Sequence, residues 1–114
     1  MRLTSGDVVD LDLGIPSGRE AGFRHPVVVV TAQEILDEAS NVVQVVPLSS
    51  TLRPFSSEVS VLRDEHNALE VDSAAQCQHI RSVSVDRIDV VRGNVGPATL
   101  SEIREVLGLI LDIS

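Results

Sequence analysis

Three short stretches of this 114-residue chain carry side chains able to do chemistry. The run GREAGFRHP holds Arg19, Glu20, Phe23, Arg24 and His25. The run LSSTLRPF holds Ser49, Ser50, Thr51, Arg53 and Phe55. The run QHIRS holds His79 and Arg81. A guanidinium places two parallel hydrogen bonds on a phosphate, which an ammonium cannot do, and all nine basic residues here are arginine. An imidazole takes and gives a proton near neutral pH. A hydroxyl both donates and accepts. The one cysteine, Cys77, excludes an intrachain disulfide and a cysteine-based zinc site. No His, Asp and Glu set stands at metal-ligand spacing, so neither a metal nor a cofactor is expected.

A formal net charge of -8 argues against a general nucleic-acid binder, because phosphate contacts need cations. The acids are grouped, however. Glu34, Asp37 and Glu38 form one group; Asp64, Glu65, Glu70 and Asp72 form another; Arg19 and Arg24 lie apart from both. A basic site on an acidic protein is compatible with that distribution, and so is a plain solvating role for the acids. Residues 1–10 carry charges where a signal peptide needs an apolar stretch, and no apolar run reaches membrane-spanning length. A cytoplasmic protein without membrane contact is the expectation.

The elements that must hold these side chains read as mainly β. The 43% hydrophobic content rests on Val, Leu and Ile, with two Phe and no Trp or Tyr, which suits pleated surfaces. Residues 6–13 alternate, with Val9, Leu11 and Leu13 against Asp10 and Asp12, as in a half-buried strand. Residues 14–25, punctuated by glycine and proline, read as a long loop, a class that is usually functional. Residues 26–31 (PVVVVT) and 41–48 (NVVQVVPL) read as strands buried on both faces, with a helical turn near 33–39 between them. A polar loop over 49–57, a short strand at 58–62 and a turn at His66-Asn67 come next. A strand ending in HIRSV, a helical turn near 84–88 and a last strand near 89–95 follow. Residues 97–113 predict a helix, with Pro97 in the first turn, a capping box of Thr99 and Glu102, and a stripe of Leu100, Ile103, Leu107, Ile110 and Leu111. The chain predicts one domain, 1–114, a small bent barrel or sandwich capped by a helix. A core this small also favours a dimer.

Three segments together resemble the MazF/PemK endoribonuclease toxins. GDVVDLDLG followed by SGREAGFRHPVVVV is similar to that family's first strand, its GSExGxxRP-like loop and an apolar strand. VVQVVPLSST resembles its second apolar strand and Thr/Ser-bearing loop. VDSAAQCQHIRSVSVDRI resembles its Asp-Ser segment, QIRTI and a short helix. The resemblance spans nearly the whole chain. It implies an SH3-like barrel of short, strongly bent antiparallel strands plus a C-terminal helix, a homodimer, and a cognate antitoxin that covers the active face. The implied activity is metal-independent cleavage of single-stranded RNA at short motifs, leaving a 2′,3′-cyclic phosphate and a 5′-hydroxyl.

On this reading Arg24, His25 and Ser49 are the catalytic candidates. Arg19, Glu20, Phe23, Ser50, Thr51, Arg53, Phe55, His79 and Arg81 are the substrate-binding candidates. The chain departs from the family at the key Arg before the strand-opening Pro, where His25 stands, and at Arg19, where the family often has Ser. His25 then acts as general acid or base with Arg24 or Arg19 supplying charge, or else the site is weakened. Each candidate has a plainer alternative: His25 as a junction histidine, Glu20 as a solvated charge, Arg81 as a partner for Asp72 or Asp86. Phe23 and Phe55 are either platforms for a base or plugs under their loops. Two other functions stand beside the nuclease: a protein-binding poison of the gyrase-directed kind on the same barrel, and a weakened relative acting through partner binding.

Overall fold

The computed structural model describes residues 2–12 and 24–113. The sequence candidates Arg19, Glu20 and Phe23, and most of the expected loop over 14–25, lie outside them. Among the described residues, seven strands and two α-helices follow one another: β1 (Asp7–Asp12), β2 (Arg24–Val29), α1 (Gln33–Asp37), β3 (Val42–Ser49), β4 (Glu58–Val61), β5 (Ser73–Gln76), β6 (Arg81–Ser84), β7 (Ile88–Asn94) and α2 (Gly96–Leu111). All pairings are antiparallel, in the order β4-β5-β3-β2-β1-β7, with β6 also on β3. β3 forks along one edge: Val42–Val45 pair with β6 and Leu48–Ser49 pair with β5. A strand that serves two partners on one edge bends the sheet, so the architecture is barrel-like although β4 and β7 remain its ends.

The apolar runs explain this shape. Side chains alternate across a strand, and here both alternating sets are buried. Val8, Val28, Val46 and Leu48 join α2 through Leu100, Ile103 and Leu107, with Val59, Val61 and Ala75 from β4 and β5. Val9, Leu11, Val27, Val29, Val43 and Val45 form a second cluster closed by Leu3, Val83 and Ile88. PVVVV is a continuous apolar run because its strand has no solvent face.

Four expectations need correction. β1 is not half-buried: Asp7, Val8, Val9, Asp10 and Leu11 are all buried, because β2 and β7 flank the strand and both sheet faces are covered. β2 begins at Arg24 rather than Pro26, with Arg24 opposite Asp12 and His25 opposite Leu11. Residues 73–83 do not run straight; a 3-10 turn, Cys77–His79, separates β5 from β6 and permits the fork on β3. Finally, α2 starts at Gly96, so Thr99 lies inside it and makes no capping box. Asn94 takes that role: its Oδ1 accepts from the Gly96 N–H at 2.8 Å while its Nδ2 donates to Asp7 Oδ1 and Ser5 O. Gly96 has φ +86°, a conformation that favours glycine. The apolar stripe of α2 is core only as far as Leu107; Ile110 and Leu111 are exposed.

Candidate active site

Two irregularities in β7 build the site. β1 pairs with β7 as Val8↔Gly93, Val9↔Val91, Asp10↔Val90 and Leu11↔Ile88, so the register slips twice. Arg92 and Asp89 are the residues left over. A bulged residue is turned out of the ordinary alternation, and the strand twists there. Both bulged side chains then reach an opposite charge. Arg92 Nε donates to Asp10 Oδ1 at 2.8 Å, and Arg24 Nε lies 2.7 Å from Asp89 Oδ2. The first pair is sheltered, with Asp10 8% and Arg92 29% exposed, whereas Arg24 is 66% exposed.

Beside the Asp10–Arg92 pair is a cavity of about 270 Å³. His25 and Pro26 from the start of β2, Leu48 from β3 and Ser50 just after it form part of the wall; Arg92 forms another. The remainder comes from the segment before β5, through Leu69, Glu70, Val71 and Ser73. That segment is built around Asn67, which is almost wholly buried. Asn67 Oδ1 accepts from the Asp64 and Leu69 N–H groups, and its Nδ2 donates to Leu62 O. Gly93 lets this turn lie against β7: a Cβ there would stand 2.2 Å from His66 O. A larger cavity of about 480 Å³ lies between Arg2, Leu36, Asp37 and Val85, and contains none of the residues expected to do chemistry.

The cavity therefore joins an imidazole, the hydroxyls of Ser50 and Ser73, the Glu70 carboxylate and a guanidinium against apolar side chains. These groups can exchange a proton, orient a hydroxyl and neutralise an anionic oxygen. Comparison with known proteins places the chain in a family. The model of the PemK-like, MazF-like toxin of type II toxin–antitoxin systems matches residues 4–111. The chain belongs to the MazF/PemK toxin family. Endoribonuclease MazF9 of Mycobacterium tuberculosis is 31% identical over 112 residues, 95% of each chain. An endoribonuclease structure from a mycobacterial species superimposes with a TM-score of 0.78 at 20% identity, over 99% of this chain and 94% of that one. The MazE–MazF structure (Form-II) from Deinococcus radiodurans gives 0.77 at 21% identity, over 100% and 99%. At those identities the two structures establish the MazF fold.

Of the residues singled out by their resemblance to MazF, the structure brings His25 and Ser50 into one cavity. Arg24 is next to His25 in the chain, but its guanidinium is on Asp89. Ser49 ends β3 opposite Ala74, half-buried, with its Oγ accepting from the Thr51 N–H at 3.1 Å. Strand alternation takes it to the other side from Leu48, so Ser50 rather than Ser49 reaches the wall. Thr51 and Arg53 are exposed in the β3–β4 loop. Arg53 Nη2 donates to Glu58 Oε2 at 2.6 Å, and its guanidinium lies 4.8 Å above the Phe55 ring. Phe55 is 51% exposed, so it does not plug its loop.

His79, on the turn between β5 and β6, and Arg81, opposite Val45, line no part of the cavity. Val45 precedes Leu48 by three residues, about 10 Å along a strand. Arg81 is exposed, and among the described residues neither Asp72 nor Asp86 pairs with it; Asp72 instead accepts from the Arg63 N–H. Sequence reasoning missed Arg92, Asp10 and Glu70. The only signal was an acid inside an apolar strand, Asp10, which gives no hint of its partner 82 residues away.

Proposed function

We propose that this protein is a sequence-specific endoribonuclease toxin that cleaves single-stranded RNA without a metal and is neutralised by a cognate antitoxin. One observation carries the reading: His25 and Ser50, from two segments that resemble the family's active-site motifs, line the same cavity. The relative named Endoribonuclease MazF9 and the family match support it.

Cleavage by this route needs three things. The ribose 2′-hydroxyl gives up its proton and its oxygen attacks the adjacent phosphorus. The bond from phosphorus to the 5′-oxygen breaks, and that oxygen takes up a proton. The phosphorane formed between carries extra negative charge, which preplaced donors stabilise. The products are a 2′,3′-cyclic phosphate and a 5′-hydroxyl, and protons balance. In this scheme His25 moves a proton at the cavity wall. Ser50 orients an oxygen of the phosphate. Arg24 and Arg19 are the arginines nearest His25 in the sequence and carry positive charge. Phe55 is exposed and offers a face for an unstacked base.

Assembly follows the same reasoning. A similar structure is that of an endoribonuclease from a mycobacterial species in complex with its cognate antitoxin. We infer a homodimer here too, and an antitoxin segment that lies across the cavity's mouth.

The deciding measurement is cleavage of a long single-stranded RNA in EDTA with product ends mapped. Cuts at a recurring short motif with cyclic-phosphate ends are expected, and His25→Ala should lower the rate about 100-fold or more, the usual contribution of a general acid–base group. Cleavage that appears only with added magnesium sinks the metal-free mechanism. No cleavage by folded protein moves the reading to a protein-directed poison.

A further inference from the structure

We infer that Arg92 is the residue that receives the scissile phosphate in the cavity, and that Asp10 is the side chain that positions it. The inference rests on the proposed nuclease reading and supplies its missing cation.

The argument starts from what the cavity lacks and what it holds. The family's Arg before Pro26 is here His25, a group whose charge depends on pH. Arg24 is adjacent, but its guanidinium is on Asp89 at 2.7 Å and is mostly in solvent. The guanidinium that lines the cavity with His25 and Ser50 is that of Arg92. It comes from the opposite edge of the sheet.

Three features make Arg92 a built group rather than a passing one. It is the extra residue of a bulge, which aims it away from the ordinary alternation of β7. Its Nε is held at 2.8 Å by Asp10, a carboxylate 8% exposed, in the interior of β1 opposite Pro26. A buried charge is retained at a cost in desolvation that an apolar residue would avoid, and Val8 and Leu11 around it show what the strand otherwise uses. Fixing the guanidinium through Nε leaves its two terminal amines as a fork, the geometry that matches two oxygens of a phosphate. One of those amines, Nη1, has Glu70 Oε1 3.9 Å away. Glu70 is 85% exposed, and an incoming phosphate can displace it with little loss.

The double variant Asp10→Asn/Arg92→Gln tests this, because it removes both charges together and leaves no buried carboxylate unpaired. Its thermal unfolding is checked first. Two readouts follow: kcat/KM on mixed-sequence RNA in EDTA, and the salt dependence of binding to a 2′-O-methyl RNA pool, which has no free 2′-hydroxyl and so is not cut. The expected result is a folded variant with kcat/KM lower by about 100-fold or more and a log–log salt slope shallower by about 0.7, one phosphate contact on a single strand. Arg92→Lys, charged but without the fork, should fall between wild type and the double variant. Asp10→Asn, which keeps an acceptor for Nε, should retain more kcat than Asp10→Ala at similar KM.

A variant that cuts and binds like wild type overturns the inference and leaves the nuclease reading standing. Wild type that binds the 2′-O-methyl pool through Arg92 but cuts no RNA overturns the nuclease reading and keeps the phosphate site. Wild type that does neither overturns both.

Discussion

Cys77 shows how far burial governs a single residue. It lies in the main core, fully enclosed, with Sγ directed toward the Ala75 and Ile103 carbonyls. Burial pushes its thiol up to about 11, and the nearby Glu58 carboxylate adds to the rise. Since the thiolate is the reactive form, a disulfide reagent at mildly alkaline pH should label native protein only as fast as the chain unfolds. Labelling much faster than hydrogen exchange of the β5 amides would contradict that enclosure. A second residue-scale contrast is between Ser49 and Ser50. Ser50→Ala should reduce cleavage about as much as loss of one transition-state donor does, 100-fold or more. Ser49→Ala should affect mainly the Thr51 turn that it caps.

At the scale of elements, the turn at 64–67 and the bulged strand β7 act as one unit. His66 O accepts from the Asn94 N–H at 2.9 Å, and Gly93 permits that approach. Gly93→Ala would drive a methyl into His66 O, a backbone atom that cannot rotate aside. The expected cost is about 1–3 kcal/mol, as for other overpacked sites, read as a fall in the urea midpoint at constant slope. The cavity wall at Leu69 and Glu70 continues from that turn, so cleavage should fall further than the loss of folded protein explains. An unchanged midpoint would mean that the turn does not press on β7 in solution.

For the whole molecule, acid stability and assembly follow from charge and exposed apolar surface. Glu58 has a side chain only 1% exposed. The hydrogen bond from Arg53, helped by that from Gln78, holds its carboxyl below the ordinary value of 4.5 despite its burial. A carboxyl with a lower pKa folded than unfolded contributes stability that is fully present above the unfolded value and is lost as pH falls through the folded one. Wild type should therefore lose stability as pH drops below 4.5, and Glu58→Gln should be less stable at neutral pH yet converge on wild type in acid. Parallel curves would deny Glu58 that role. The end of α2 exposes Leu109, Ile110 and Leu111, with Ile113 after it. Such a surface suits a subunit contact. Light scattering should give the mass of two chains, and Leu109→Glu with Ile113→Glu should shift it toward one.

The sequence by itself determined the local and the periodic. Continuous valine runs specified strands buried on both sides, Pro97 and the apolar stripe specified α2, and the ordered motifs around His25, Ser49 and Arg81 specified the family. Those signals lie within a few residues of one another, where alternation, turn chemistry and capping act. Only the tertiary structure decided which of the marked residues meet. It brought His25 to Ser50 and left His79 and Arg81 on another part of the surface. It also turned Arg92 onto Asp10, across 82 residues, through a register slip between β1 and β7. A bulge is a property of two strands paired, and no periodicity within either one encodes it.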